Sequence, residues 1–408
     1  MLFQIFDGFS PPPFLTRQPL PIVKSNLTWA FIRYPKTFYI STHNKIKHLV
    51  FAVTSDLIAD QRMIRICGSL QKAGYQVTLV GSRNNSSEGL PTQHFTQIRL
   101  KPLFQKGKLF YLEFNLRLLF FLLGRKINIL CAIDLDTIIP CYLVSILKSI
   151  PRVYDAHELF CEMKEVVTRP SVHAMWNWVE QSIVPRFKNG YTVNESLARI
   201  FQEKYGLQYS VFYNMPHLRA VPEPIRQERF LIYQGAVNEG RCFEMLIPAM
   251  NQVPLKLEVY GVGNFFNQAK QLIHKYELQQ KISLEGRLPP SLLMEKTSKA
   301  FAGLNLIENT GLNNYYSLAN RFFDYVQAGI PQVAMNYPEY QKMNARFEVA
   351  VLIDHHSPEK IAEAVNQLIS DSALYHRIQS NCMEARDHWC WENEEARLVS
   401  FYDSIPVS

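Results

Sequence analysis

Short apolar runs alternate with amphipathic stretches along the chain from His48 onward. Apolar runs bounded by turn residues predict buried strands, and the stretches between them have the period of helices. Such alternation is typical of βα units that build a parallel sheet. Strands are predicted at 48–54, 75–80, 127–132, 151–155 and 191–193, and again at 230–234, 255–260, 281–285, 300–307 and 332–334.

The alternation pauses once, in a polar stretch that opens with Asn214 and contains Pro216, Pro222 and Pro224. Prolines clustered between periodic segments mark a linker. The fold class predicted is therefore α/β, with two Rossmann-like parallel-sheet domains facing a central cleft. The predicted segments are an irregular extension at 1–46, a first domain at 47–213, a linker at 214–229, a second domain at 230–390, and a terminal helix at 391–408 that returns to the first domain.

One predicted helix, at 109–123, is apolar on nearly every side. It is shorter than the roughly 20 residues that span a bilayer, and Glu113 and Arg117 interrupt it, so no transmembrane segment is predicted. A helix of this composition is expected to be buried between layers. The alternative is docking on a membrane surface or on a lipid-linked acceptor.

Charge and cysteine content indicate which partners, cysteine sites and cellular location to expect. The 408 residues carry 43 Lys and Arg against 36 Asp and Glu, a net charge of +7, without a dense basic tract. Nucleic acid is therefore not an expected partner, whereas a polyanionic ligand or an anionic membrane is compatible. The seven cysteines form no CxxC pair, so we expect neither a disulfide framework nor a zinc site, and a cytoplasmic location.

Three segments of the second half place glycine or arginine where a strand gives way to a helix. They carry Gly235 with Arg241, Gly261 with Gly263, and Asn320 with Arg321. Ligands of parallel α/β sheets bind beyond the carboxyl ends of the strands, and helix N-termini with arginines attract phosphates. These segments predict a pyrophosphate cradle. Replacing either arginine is expected to weaken diphosphate binding with little effect on folding.

The run from Asn314 to Pro331, NYYSLANRFFDYVQAGIP, resembles glycosyltransferases of the GT-B fold, and specifically family four. The resemblance extends over most of the chain from His48. It implies that Asp324 holds the ribose hydroxyls of a nucleotide-sugar donor. Further donor contacts implied are Arg321 and the backbone amides near Ser317 and Leu318 at the diphosphate, together with Arg241, and Gly286 and Leu288 at the nucleobase edge.

The first half carries a matching segment, VYDAHEL, in which His157 and Glu158 follow a strand. By the resemblance, His157 reaches a hydroxyl of the donor sugar. Candidates on the acceptor side of the cleft are Asp56, Asp60, Arg62, Asp134 and Glu158. Asp136, directly before a predicted helix, is expected to act as its cap.

The resemblance implies sugar transfer with retention of configuration to a glycan, lipid-linked or other hydroxyl acceptor, in the synthesis of cell-surface polysaccharides or glycoconjugates. No cofactor and no metal are expected, and peripheral membrane contact is expected. Arg241 and Arg321 would stabilise the leaving diphosphate, and His157 would orient the sugar. One departure is Tyr316, which stands where the family has the first acid of a Glu-x7-Glu pair.

Two alternatives stay open: a sugar-nucleotide epimerase of the same fold, and a non-catalytic relative that binds nucleotide sugars. An epimerase would use carboxylates to abstract a proton, and Tyr316 removes one acid from the expected pair. A dinucleotide-dependent oxidoreductase is disfavoured, because no Gly-x-Gly-x-x-Gly follows the first strand.

Overall fold

The computed structural model describes residues 46–58, 60–83, 89–220 and 229–407. The predicted extension at 1–46 lies outside the described residues except for Ile46, as does most of the second half of the predicted linker. The remaining chain contains two parallel sheets, each covered by helices on both faces.

The first sheet has seven parallel strands in the order β3-β2-β1-β4-β5-β6-β7. The strands are β1 (His48–Ala52), β2 (Gln76–Ser82), β3 (Thr96–Leu100), β4 (Ile129–Ile133), β5 (Arg152–Ala156), β6 (Asn189–Thr192) and β7 (Ser210–Val211). The central strands are buried on both faces, which accounts for their continuous apolar sequences. The helices are α1 (Gln61–Lys72), α2 (Gly107–Leu123), α3 (Ile138–Leu147), α4 (Lys164–Val167), α5 (Pro170–Ile183) and α6 (Glu195–Tyr205).

The second sheet has six parallel strands in the order β10-β9-β8-β11-β12-β13. They are β8 (Phe230–Gln234), β9 (Lys256–Tyr260), β10 (Ile282–Gly286), β11 (Ala302–Asn305), β12 (Gln332–Met335) and β13 (Ala350–Ile353). The helices are α7 (Phe243–Ala249), α8 (Phe266–Lys275), α9 (Pro290–Lys299), α10 (Leu312–Tyr315), α11 (Asn320–Gln327), α12 (Pro338–Arg346), α13 (Pro358–Ser370), α14 (Ser372–His388) and α15 (Trp391–Asp403).

The last helix, α15, packs against the first sheet and not the second. Trp391 donates its indole N–H to Ser69 Oγ on α1 at 2.8 Å, and the Tyr402 hydroxyl lies 3.0 Å from that of Tyr191 on β6. Trp391 and Tyr402 are fully buried in the core that also contains residues of β1 and β4. The chain therefore crosses between the domains twice, once near Asn214 and once before α15.

Helix α2 does not have the burial expected from its composition. Only Phe114, Leu118 and Leu122 are buried, and the opposite side of the helix is open to solvent. The expectation that α2 lies between layers is therefore wrong, because no layer of the described residues lies outside it. Glu113 and Arg117 form the i,i+4 pair at 2.7 Å.

In the part of the chain that the structure describes, no helix combines the length and apolar character needed to cross a bilayer. All seven cysteines are buried and free of disulfide bonds.

Candidate functional site

A cavity of about 670 Å³ lies between the carboxyl ends of the two sheets and is lined by both domains. Parallel sheets place their ligands at this edge, so the cavity is the candidate site. It brings together twelve of the residues predicted from the sequence. These are Asp56, Asp60, Arg62, His157 and Glu158 from the first domain, and Gly235, Arg241, Ser317, Leu318, Asn320, Arg321 and Asp324 from the second.

The turn after β8 presents Gly235 and Arg241 to this cavity. Gly235 has a φ of +127°, in the region that favours glycine, and its amide donates to the Tyr260 carbonyl. The Arg241 guanidinium is half-buried and forms no hydrogen bond or ion pair with the described residues. A cation held at the cavity wall without a protein partner is suited to bind an anion.

The other predicted glycines support this turn and do not contact the cavity. A Cβ atom on Gly261 would lie 1.7 Å from the Gly235 carbonyl oxygen, and one on Gly263 would lie 2.2 Å from that of Val237. Their small size lets the turns after β8 and β9 pack together. The prediction that they form part of a phosphate cradle is therefore corrected to a packing role.

The segment predicted to meet a nucleobase lies at the end of β10. Gly286 has a φ of +75° that turns the chain, and Leu288 packs on the small apolar cluster around Tyr260 and Tyr325. Neither residue is among those that line the described cavity, whereas Leu293 of α9 is. The apolar wall at this end of the cavity comes from a residue that the sequence did not single out.

Arg321, predicted to bind the diphosphate, is buried among acceptors of the protein itself. It is 7% exposed, and its guanidinium donates to Asn305 Oδ1, the Tyr233 hydroxyl, and the carbonyls of Gln234 and Leu306. The guanidinium also stacks over the Tyr233 ring at 4.6 Å. These bonds occupy most of its five donors. Arg321 therefore joins β8, β11 and α11 inside the fold, and the expectation that it is a free cation with no part in folding is corrected.

The turn before α11 lines the cavity with Ser317, Leu318 and Asn320. The Ser317 amide and hydroxyl both donate to the Asn314 carbonyl, so this amide is not free for a phosphate. Asn320 Oδ1 accepts a hydrogen bond from Asn214 at 2.8 Å. The turn is thus fixed by its own hydrogen bonds and by the crossing segment between the domains.

Asp324, in the middle of α11, directs its carboxylate to the cavity. Gln234 Nε2 donates to one of its oxygens at 2.9 Å. The side-chain oxygen of Gln234, Oε1, in turn accepts a hydrogen bond from the Thr297 hydroxyl. Burial raises the pKa of Asp324 to about 6, against the positive charges of Arg65 and Arg219. A carboxylate fixed on one oxygen retains acceptor capacity for neighbouring hydroxyl groups.

Across the cavity, His157 belongs to a buried charged network. Asp155 is fully buried, and its Oδ1 accepts from Arg62 at 3.1 Å, while its Oδ2 lies 3.1 Å from His157 Nε2. Burial disfavours the imidazolium, but Asp155 and Asp134 outweigh it and raise the pKa of His157 to about 9. Arg62 Nε donates toward the same ring nitrogen at 3.0 Å, so Nε2 lies between Arg62 and Asp155 Oδ2, and that carboxylate oxygen has no hydrogen-bond partner among the described residues.

Asp134 lies beneath the imidazole and orients it. Its Oδ1 accepts the His157 backbone N–H at 2.8 Å, and Oδ2 lies 3.5 Å from Nδ1. Burial raises the pKa of Asp134 to about 7. Asp136 does not act as the predicted helix cap, because it lies inside a short 3-10 turn and accepts a hydrogen bond from Thr54.

The remaining acceptor-side residues have separate roles. Asp56 forms an ion pair with Arg99 at 3.2 Å, and Asp60 caps α1 by accepting the Met63 amide. Glu158 lines the cavity and its side chain is exposed to solvent there. These acids give the first-domain wall a negative character.

The domains also meet directly around Tyr316. Asn194 Nδ2 donates to the Tyr316 carbonyl at 2.8 Å, and the Leu159 amide donates to Asn313 Oδ1 at 2.9 Å. Sequence reasoning missed Asn194, Asn313 and Asp155. For Asp155 a signal existed, since it lies two residues before His157 at the end of a strand.

In the described part of the chain, no group of three or more His, Cys, Asp or Glu residues is arranged to hold a metal ion.

Two family models match the chain, one after the other. The model described as "Glycosyltransferase Family 4" matches residues 59–215, and "Glycosyl transferases group 1" matches 216–384. No curated protein matches the chain in sequence.

Solved structures resemble the fold at low sequence identity. A sucrose-phosphate synthase from Thermosynechococcus elongatus has a TM-score of 0.71 and 14% identity, and the match covers 88% of this chain and 98% of that one. HepE from Anabaena, in complex with UDP and glucose, has a TM-score of 0.69 and 13% identity over 88% and 100% of the two chains. WaaG, a glycosyltransferase involved in lipopolysaccharide biosynthesis, has a TM-score of 0.61 and 14% identity over 88% and 100%. These matches confirm the predicted fold class.

Proposed function

Because the chain belongs to the nucleotide-sugar glycosyltransferases of group 1 and family 4, with the GT-B fold, we propose that it transfers a sugar from a nucleoside-diphosphate donor to a hydroxyl acceptor with retention of configuration. One observation carries this proposal. The guanidinium of Arg241, which pairs with none of the described residues, and the carboxylate of Asp324 line the same cavity, opposite His157. This pairing of cation and acid suits a diphosphate linked to a ribose.

The donor is proposed to lie along the second domain. Asp324 accepts hydrogen bonds from the ribose hydroxyls, and Gln234 holds its carboxylate in place. Arg241 binds the diphosphate and stabilises the negative charge that develops as the diphosphate leaves. HepE has been crystallised with UDP and with UDP-glucose, which makes uridine diphosphate sugars the first donors to test.

His157 is proposed to orient the donor sugar from the first domain. The imidazole lies between Asp155, Asp134 and Arg62, which hold it in one orientation at the cavity wall. The acceptor hydroxyl passes its proton to the leaving phosphate oxygen, so the step needs no protein base at the position of Tyr316. The proposed reaction uses the nucleotide sugar as donor substrate and involves no cofactor and no metal.

The acceptor is proposed to be a glycan or a lipid-linked hydroxyl, in the synthesis of a cell-surface polysaccharide or glycoconjugate. The exposed apolar side of α2, in the acceptor-side domain, supports peripheral membrane contact. Seven buried, unpaired cysteines favour a reducing compartment, so we place the reaction in the cytoplasm.

A screen of nucleotide sugars tests this proposal. Each donor is added to the protein, and thermal stabilisation and hydrolysis of the donor are measured. We expect one class of donor to raise the melting temperature and to be hydrolysed slowly to the nucleoside diphosphate and the sugar. Conversion to a different sugar nucleotide would instead identify an epimerase. Stabilisation without any turnover, even with added glycan and lipid-linked acceptors, would identify a non-catalytic binding protein.

A further inference from the structure

The outer side of α2 forms an apolar stripe that no described residue covers. Leu109, Leu112, Leu116, Phe120 and Leu123 are spaced three or four residues apart and are all exposed, Phe120 by 70%. Residues at this spacing lie on one side of a helix. The stripe thus faces solvent along the full length of α2, opposite the side that is buried on the sheet.

Two neighbouring helices extend the stripe into a wider face. Helix α3 packs beside α2 and exposes four large apolar residues, and α5 packs beside α3 and adds two more. These are Ile139, Leu143, Ile146 and Leu147 of α3, and Met175 and Trp178 of α5. We call these residues and the α2 stripe the α2–α3–α5 face. Contiguous exposed apolar surface of this kind marks an interaction site.

Basic residues predominate around the α2 part of this face. Residues 101–126 contain six Lys and Arg, all exposed, and a single acid, Glu113. Glu113 is occupied by the Leu103 and Phe104 amides and by Arg117. The acid on α5, Glu180, is buried, and α3 contains none. An apolar face with a basic rim is complementary to an anionic bilayer surface.

The face is continuous with the acceptor side of the cavity. The Tyr111 ring of α2 lies 6.2 Å from the Trp176 ring of α5, and Trp176 lies 4.9 Å from Phe160. Phe160 is three residues after His157 in the same loop. A row of aromatic rings therefore connects the exposed face to the loop that carries the sugar-facing histidine.

We propose that the α2–α3–α5 face docks on an anionic phospholipid membrane, with its apolar side chains in the interfacial region and its Lys and Arg residues among the headgroups. The inference rests on the proposed membrane contact and gives it a surface and a lipid class. A second copy of the chain is a poorer occupant, because a symmetric contact would bring the same six cations of each copy together.

Vesicle co-sedimentation of the full chain tests the proposal. Vesicles of phosphatidylglycerol with phosphatidylcholine are compared with vesicles of phosphatidylcholine alone. We expect the protein to bind the anionic vesicles and to dissociate as salt is raised, because headgroup attraction is screened. The double variant Leu116→Glu/Phe120→Glu should bind at least about tenfold more weakly. The double variant Lys106→Gln/Lys108→Gln should lose affinity for the anionic vesicles, by roughly fivefold for each lysine replaced.

The matched control is Met245→Glu/Leu292→Glu, which changes two exposed apolar residues on α7 and α9 and should bind vesicles normally. Melting temperatures and nucleoside diphosphate binding should be unchanged in all variants, so failure of the donor site is measured separately from failure of docking. The proposal is overturned if the wild type does not bind anionic vesicles, or if Leu116→Glu/Phe120→Glu binds them as the control does. A dimer that dissociates in this variant, without vesicle binding by the wild type, would assign the face to self-association.

Discussion

Two arginines of the second domain, Arg241 and Arg321, have opposite surroundings in the fold. After β8, Arg241 lines the cavity and has no partner in the part of the chain that the structure describes, whereas Arg321 at the start of α11 is buried among four acceptors of its own fold. The sequence alone predicts one role for both, contact with a diphosphate. The difference shows that a phosphate-binding role depends on which acceptors the fold places around the guanidinium.

Replacement of Arg321 should produce the largest effect, and it should be on folding. Arg321→Ala leaves Asn305 Oδ1, the Tyr233 hydroxyl and two carbonyls without their donor, which should lower the free energy of unfolding by ~3 kcal/mol or more. Urea unfolding measures this. Arg287→Ala, at an exposed arginine, serves as control and should be neutral. A stable Arg321→Ala protein that loses only diphosphate affinity would return Arg321 to the predicted cradle.

Replacement of Arg241 should affect binding and leave folding unchanged. Arg241→Ala removes a charge-assisted hydrogen bond to the diphosphate, which weakens nucleoside diphosphate binding by about 1.5–3 kcal/mol. Calorimetric titration gives the dissociation constant, and the urea midpoint should match that of the wild type. Arg241→Lys keeps the charge without the forked geometry of the guanidinium. Its affinity for the nucleoside diphosphate should lie between those of the wild type and Arg241→Ala. Equal affinities in all three proteins would remove Arg241 from the donor site.

Asp324→Asn should separate donor binding from stability. The pKa of Asp324 is raised to about 6 by burial, so the carboxylate is ionised above that pH and accepts ribose hydroxyls there. We expect donor affinity to fall as the pH drops through about 6 in the wild type, and to be roughly tenfold weaker and independent of this titration in the variant. A nucleotide sugar is the suitable probe, since its diphosphate diester does not titrate in this range.

The ionisation of Asp324 affects folding stability in the opposite direction to donor binding. A carboxyl whose folded pKa is raised stabilises the fold at low pH, and that contribution is lost as the pH rises through the folded pKa. Asn cannot ionise, so Asp324→Asn should be as stable as the wild type, or more so, at pH 8. Lower stability at pH 8 would indicate that Asp324 serves the fold and not the donor.

The first domain offers a test of the charge on His157. Asp155→Asn removes the main charge that keeps His157 protonated, so the pKa of His157 should fall from about 9 toward its ordinary value of about 6.5. NMR titration of the imidazole measures the shift. The raised pKa stabilises the fold below about pH 6.5, and this is lost as the pH rises through 9, so the variant should lose that dependence. An unchanged titration would show that Asp134 alone holds the proton.

The sequence predicted the architecture because buried parallel strands have distinctive sequences. It missed β3 and β7, which are half-exposed and, for β7, only two residues long. It also missed β13, a four-residue run. Edge and very short strands bury too little apolar surface to leave a pattern, so their positions follow from the neighbours they pair with.

For the site, sequence spacing located the strand ends but not the partners of each side chain. Asp324 and His157 line the cavity. Gly261 and Gly263 instead allow the turn after β9 to pack against the turn after β8. Burial of Arg321 depends on Asn305, sixteen residues earlier and on a different strand end. Contacts between residues distant in sequence decide such roles, and a single sequence does not contain them.

The central claim, that the cavity binds a nucleotide-sugar donor through Arg241 and Asp324, is tested most directly by calorimetric titration. UDP, GDP and ADP are titrated into the wild type, Arg241→Ala and Asp324→Asn. We expect one nucleoside diphosphate to bind the wild type at a single site, and both variants to bind it at least about tenfold more weakly. Absence of binding for all three nucleotides, or equal binding by the wild type and both variants, would contradict it.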